Sequence, residues 1–213
     1  MNPKRLFSAL MVVMSVATTA AASDAIERKY KDVGAATLGK PAGAEKSSAG
    51  GGRVRLYANG GIWSSKTAGT HAVYGPAFDK YKSLRAERGE LGYPVTDVAK
   101  LPDGSAQALF RHGYIVVDAS GAVRSEVIPK ATFTADSITL KGVKAKMTPR
   151  NEAFVEPLPQ SGPGSTFACS CVTKKDEPGT GSCDIQLKGN IIRCAANGCR
   201  NNCRLLSVPG RPQ

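Results

Sequence analysis

The residues of this 213-residue chain that could do chemistry fall into three groups: six cysteines, two histidines, and scattered carboxylates and aromatic rings. The cysteines are Cys169, Cys171, Cys183, Cys194, Cys199 and Cys203, all within the last 45 residues. An even number packed into a short segment reads as a disulfide framework. Four thiolates would suffice for a tetrahedral zinc site. That reading is disfavoured by the spacing, which is C-x-C followed by long gaps, with no C-x2-C pair. A thiol-redox centre would call for C-x-x-C, which is also missing. Disulfides are therefore expected, with no metal and no cofactor. Six cysteines allow fifteen pairings, and the spacing selects none of them. A Cys169–Cys171 bond alone is disfavoured, because its one-residue loop would be strained. Cys199 and Cys203 stand at i and i+4, a spacing that would let them share one face of a helix.

The histidines offer less. His112 stands beside Gly113 in a turn, and His71 precedes a helix. Neither adjoins a serine or aspartate pattern resembling a triad. No H-E-x-x-H, G-x-S-x-G or P-loop occurs. Glu87 and Glu90, in the loop before Leu91, read as solvated charges rather than as a glycosidase pair. No catalytic residue is assigned.

The elements that must position these residues begin after a targeting segment. Lys4 and Arg5 precede an apolar run, Leu6 to Ala17, that is short for a bilayer span, and Ala20-Ala21-Ala22 suits cleavage before Ser23. Residues 1–22 thus read as a signal peptide, and no later stretch is apolar and long enough to span a membrane. The net charge is +12, but basic residues are interspersed with acidic ones and form no continuous run. That pattern argues against nucleic acid as a partner and for attraction to anionic surface polymers.

Beyond the targeting segment the chain is duplicated. Leu38-Gly39-Lys40-Pro41 returns 53 positions later as Leu91-Gly92-Tyr93-Pro94. Ahead of each copy, Ile26, Tyr30 and Val33 lie on one face of a helix over 24–33, and Ala77, Tyr81 and Leu84 replace them 51 positions on. A two-residue insertion before Leu91 changes the offset. Behind each copy comes a hairpin, with turns at Asn59-Gly60 and His112-Gly113. Leu56, Gly60 and Ile62 match Leu109, Gly113 and Ile115. A period of this size marks a tandem supersecondary unit. The repeat stops after Pro129. Short β pieces come next, then a Pro/Gly-rich linker over 157–164. The expected fold is α+β: two tandem helix–LGxP corner–β-hairpin repeats, then a small β-rich, disulfide-stapled C-terminal region. The expected divisions are 1–22, 23–128, 129–164 and 165–213.

On these residues the units resemble the LGFP repeat. The resemblance rests on Lys80-Tyr81, on Leu91-Gly92-Tyr93-Pro94 with Thr96 and Asp97, on Leu109-Phe110 with Gly113 and Ile115, and on the segment Gly69 to Gly75. It spans roughly residues 24–125. The first unit has Gly43-Ala44 where the second has Thr96-Asp97, and the second lacks the histidine-containing exit segment. The resemblance implies a non-catalytic module that attaches or orients proteins at the cell envelope by binding wall polysaccharide.

Sugar rings stack their C–H faces on exposed aromatic rings, so the aromatics are the place to seek a glycan site. Tyr30/Tyr81 and Tyr57/Phe110 recur in both units and read as core. Trp63, Tyr74, Tyr93 and Tyr114 do not recur, and these four are the candidate ligand-binding residues. Leu38, Gly39, Pro41, Leu91, Gly92 and Pro94 form the structural corner. The functional expectation is an exported, non-catalytic envelope protein, secreted, periplasmic or wall-associated, whose partner is cell-wall or surface polysaccharide. An alternative is a secreted interaction protein, inhibitor-like or toxin-like, that meets a protein partner through the cysteine-rich module. A third reading is a cell-wall hydrolase without familiar motifs.

Overall fold

The computed structural model describes residues 17–101, 103–157, 164–173 and 178–208. Most of the expected signal peptide and most of the expected linker lie outside the described residues.

Helix α1 (Ala17–Val33) starts upstream of the helix expected over 24–33. Its expected apolar face is real: Ile26 is fully buried, and Tyr30 and Val33 pack beside it. Gly34, at φ 90°, ends the helix, and the single turn α2 (Ala35–Leu38) leads into the corner. A four-stranded antiparallel sheet comes next, ordered β1 (Lys46–Ser47), β2 (Arg53–Tyr57), β3 (Gly60–Ser65) and β4 (Gly69–Tyr74). Helix α3 (Pro76–Ser83) then opens on Pro76, whose missing N–H costs nothing at that position. A second four-stranded sheet repeats the order: β5 (Ala99–Lys100), β6 (Ala106–Phe110), β7 (Gly113–Val117) and β8 (Val123–Val127).

The duplication holds at the level of single bonds. Tyr30 Oη donates to the Gly39 carbonyl at 3.1 Å, and Tyr81 Oη to that of Gly92 at 2.8 Å. Asn59 N donates to Leu38 O, and His112 N to Leu91 O. Pro41 bridges to Tyr57, and Pro94 to Phe110. Gly39 (φ 77°) and Gly92 (φ 69°) take the left-handed conformation that the corner needs. Corner, helix and hairpin are thus one bonded unit built twice.

Strand alternation sorts side chains into successive layers. Tyr57, Ile62 and Ala72 of the first sheet face α1. Trp63 and Val73, from the opposite face, pack on Ala77, Phe78 and Tyr81 of α3. Ala108, Phe110 and Ile115 of the second sheet join that same cluster, so α3 lies between the two sheets. The far face of the second sheet, with Leu109, Tyr114 and Val116, enters a third core with Phe133, Ile138, Phe167 and Leu205.

That third core belongs to the C-terminal region. One sheet runs β14 (Ser182–Lys188), β15 (Ile191–Asn197), β10 (Ser137–Leu140), β9 (Ala131–Phe133). The other runs β11 (Ala145–Met147), β12 (Ala153–Val155), β13 (Ser165–Val172), β16 (Asn202–Ser207). Cys169–Cys194 and Cys183–Cys203 link strands of opposite sheets, and Cys171–Cys199 ties β13 to the turn after β15. Loop closure of this length contributes roughly 3 kcal/mol per bond.

The protein is predominantly β, with few helices, and the helix–corner–hairpin units stand within that β framework. One expectation changes. Cys199 and Cys203 share no helix; they flank the turn into β16. Each C-terminal sheet takes strands from both sides of the division drawn at 164, because strands of three or four residues pair with the longer β13 and β15. The region also docks firmly onto the repeats. Buried Gln107 donates to Leu205 O and accepts from the backbone N and the hydroxyl of Ser207. Its equivalent in the first unit is Val54.

Candidate functional site

The four aromatic candidates are not surface platforms. Trp63 is 2% exposed; its Nε1 donates to Glu87 Oε2 at 2.9 Å, and its ring meets Tyr81 edge-on at 4.9 Å between centroids. Tyr93 is buried and donates its hydroxyl to Ala49 O. Tyr74 is half-buried and donates to Val98 O at 2.7 Å. Tyr114 is buried, donates to Glu126, and packs edge-on against Phe167. A covered ring cannot stack on a sugar, so the expectation for Trp63, Tyr93 and Tyr114 is corrected. Their failure to recur has another cause. Trp63, Tyr74 and Tyr93 join the first unit to the second, and Tyr114 joins the second to the C-terminal sheets. Each sits at a junction that the other unit does not have.

Asp97 is the polar counterpart of those rings. It accepts from Lys29 Nζ at 2.8 Å and from the Ala72 backbone N at 2.8 Å, and faces His71 Nδ1 at 3.5 Å. These partners come from α1 and β4, so one carboxylate ties the second corner to two elements of the first unit. Burial opposes its ionisation, but the His71 and Lys29 contacts outweigh burial and lower its pKa to about 2. His71 Nε2 donates to Ala68 O at 2.8 Å, and His112 Nδ1 lies 2.9 Å from Ala131 O. Both histidines thus serve backbone carbonyls. Buried Thr96 accepts from Leu109 N at 2.9 Å and holds the corner within its own unit.

The remaining feature lies in the two-residue insertion. Between helix and corner, the first unit has residues 35–37 and the second has 86–90. Arg85 stands where Gly34 stands in the first unit, with φ 69°, and Ala86 is next at φ 49°. Two successive non-glycine residues in the left-handed region cost on the order of 1 kcal/mol each. The loop is nevertheless well anchored. Glu87 turns inward and accepts from Ser48 Oγ at 2.6 Å and from Trp63 Nε1. Burial would raise its pKa, but these hydrogen bonds lower it overall, so the anchor is ionised. Glu87 is therefore not the solvated charge expected, whereas Glu90 is exposed. A Cβ on Gly89 would lie 1.8 Å from Leu84 O, so the loop packs backbone against backbone there.

Beside this loop a cavity of about 540 Å³ is lined by Ser83, Leu84, Arg85, Arg88, Glu90, Leu91 and Val127. It offers two guanidinium groups, one carboxylate, one hydroxyl and an apolar floor. Sequence reasoning missed it, although the signal was present: the insertion is the place where the offset changes from 51 to 53. A second cavity of about 370 Å³ includes Asp136, Asn201, Asn202 and buried Arg204. All six cysteines are bonded, and the sulfurs of Cys171, Cys183 and Cys199 lie within 4.8 Å of one another. Among the described residues, no hydroxyl or thiol nucleophile hydrogen-bonds a histidine.

A family model described as the LGFP repeat matches residues 38–89. The match takes in the first corner, the first sheet, α3 and the loop to Gly89. No family recognises the cysteine-rich C-terminus. No curated protein matches the chain.

Proposed function

We propose that this is an exported, non-catalytic protein of the cell envelope whose LGFP units bind wall or surface polysaccharide. The observation that carries the reading is the LGFP repeat at residues 38–89, followed by a second corner that reproduces the bonds of the first. Three disulfides fit an extracellular or cell-surface protein. No helix among the described residues is long and apolar enough to cross a membrane, which is consistent with that placement. Both histidines and Asp97 are engaged in bonds within the scaffold, and that supports a binding role over hydrolysis.

The test is co-sedimentation of the chain from Ser23 with isolated cell walls. The reading predicts protein in the pellet, released by excess soluble wall polysaccharide. Protein left in the supernatant overturns it. The second cavity favours one other reading, recognition of a protein partner by the C-terminal sheets. Asn202→Trp would fill that cavity. The polysaccharide reading expects its wall sedimentation to be unchanged, and a loss would favour the other.

A further inference from the structure

The insertion between α3 and the second corner gives the second unit a groove whose charged residues have no counterpart in the first. Positions 34–37 are Gly-Ala-Ala-Thr, without a charge, whereas 85–90 carry Arg85, Glu87, Arg88 and Glu90. Of these, Glu87 is half-buried and turned into the junction. The other three line the cavity of about 540 Å³, within the size range of saccharide and small-molecule sites.

Arg85 is the informative residue. Its backbone is left-handed, and glycine would occupy that position without strain, as Gly34 does in the first unit. An arginine there keeps a strained backbone in exchange for a side chain. That side chain makes no ion pair among the described residues and stands exposed at the groove. Arg88 lines the same cavity. It is 68% exposed, with its Nε 3.7 Å from Glu87 Oε1, so much of its guanidinium faces solvent. The loop that carries both is held by Glu87 to Ser48 and Trp63, so its backbone needs little ordering when a ligand arrives.

We propose that this groove binds an acidic glycan, a sugar chain bearing carboxylate or phosphate groups. The proposal rests on the polysaccharide reading above and names its site and ligand class. Arg85 and Arg88 take the anionic group, since a guanidinium fork matches the oxygens of either acid. Glu90, the single opposing carboxylate, accepts hydroxyls of the adjoining sugar. Leu84 and Val127 form the apolar floor for its C–H face.

Isothermal titration of the chain from Ser23 tests the proposal, with three probes: an oligogalacturonate, a glycerol-phosphate oligomer and neutral dextran. The carboxylate and phosphate arms identify which acid is preferred. The parent should bind one acidic probe at least about tenfold more tightly than dextran, and Arg85→Gly with Arg88→Ala should remove that preference. Lys141→Ala with Lys188→Ala, exposed positions on the C-terminal sheets, should leave it unchanged. Arg85→Gly alone should raise the melting temperature while weakening binding, a combination that a purely structural arginine would not give. Three results overturn the proposal: no preference for acid in the parent, full binding by the Arg85/Arg88 variant, or an equal loss in the lysine variant. If the parent still sediments with walls in any of those cases, the polysaccharide reading survives and the groove assignment falls. If it does not sediment either, both fall.

Discussion

The two repeat units have the same interior and different neighbours. In both, a tyrosine from the helix bonds the glycine carbonyl of the corner, and the hairpin turn bonds the corner leucine. Yet Tyr81 is fully buried between Trp63 and Phe110, whereas Tyr30 stacks on Tyr57 at 4.7 Å and keeps one side partly open. Among the described residues, the first unit meets a neighbour on one face only. The second meets one on each, the first unit through α3 and the C-terminal sheets through Leu109 and Gln107. Tandem arrays derive their stability from such interfaces as much as from the repeats themselves. The C-terminal sheets here cover the face that would otherwise be left open at the end of the array.

Paired substitutions would break or sharpen this comparison. The largest gap is expected at the helix tyrosines. Tyr81→Ala should cost about 4 kcal/mol and Tyr30→Ala about half that, measured by urea denaturation of the chain from Ser23. Equal costs would mean that the inter-unit layer adds little.

Asp97→Asn comes next, because it strips Lys29 and His71 of their shared carboxylate. Asp97 has a folded pKa of about 2, below the ordinary carboxylate value. Its stabilisation is therefore fully present above the unfolded pKa, near 4, and is lost as pH falls from about 4 toward 2. The expected contribution at neutral pH is about 2 kcal/mol. Stability curves of parent and Asp97→Asn should converge over that acid window, and curves that stay parallel would refute the linkage. The first unit has Ala44 at this position and no equivalent titration.

The corner glycines should behave alike. Gly39→Ala and Gly92→Ala each force a side chain into the left-handed region, at a cost of about 1–2 kcal/mol. Gly39→Ala should be the worse of the two, since its Cβ would come within 2.8 Å of Ala58 Cβ, against 3.3 Å from Arg111 Cβ for Gly92. The smallest effect is a gain: Arg85→Gly relieves the backbone at the insertion and should stabilise by about 1 kcal/mol, read as a higher melting temperature.

Much of the interior of each unit was legible in the sequence, because it is local. The helix face of Ile26 and Tyr30, the Leu-Gly-x-Pro corner and the Asn59-Gly60 turn each depend on residues a few positions apart. The presence of a disulfide framework was legible too, but its pairing was not, since it depends on how two sheets face each other. The aromatic candidates were misread for the same reason. Non-recurrence marked Trp63, Tyr93 and Tyr114 correctly as unlike the repeat core, but what made them unlike was contact with a neighbouring unit rather than with a ligand. Nothing near Glu87 in sequence reveals Ser48 and Trp63 as its partners. Nothing local in the sequence marks Gln107, because its partners lie about a hundred residues away at Leu205 and Ser207. The insertion at 86–90 was visible as a change of offset, but its groove required the turn at Arg85 to be seen in three dimensions.

The most direct measurement of the central claim is sedimentation of the chain from Ser23 with isolated walls, with and without soluble competitor. The polysaccharide reading predicts that the protein pellets with the walls and is released by wall polysaccharide. Protein that remains in the supernatant at low ionic strength, where charge attraction is strongest, would contradict it.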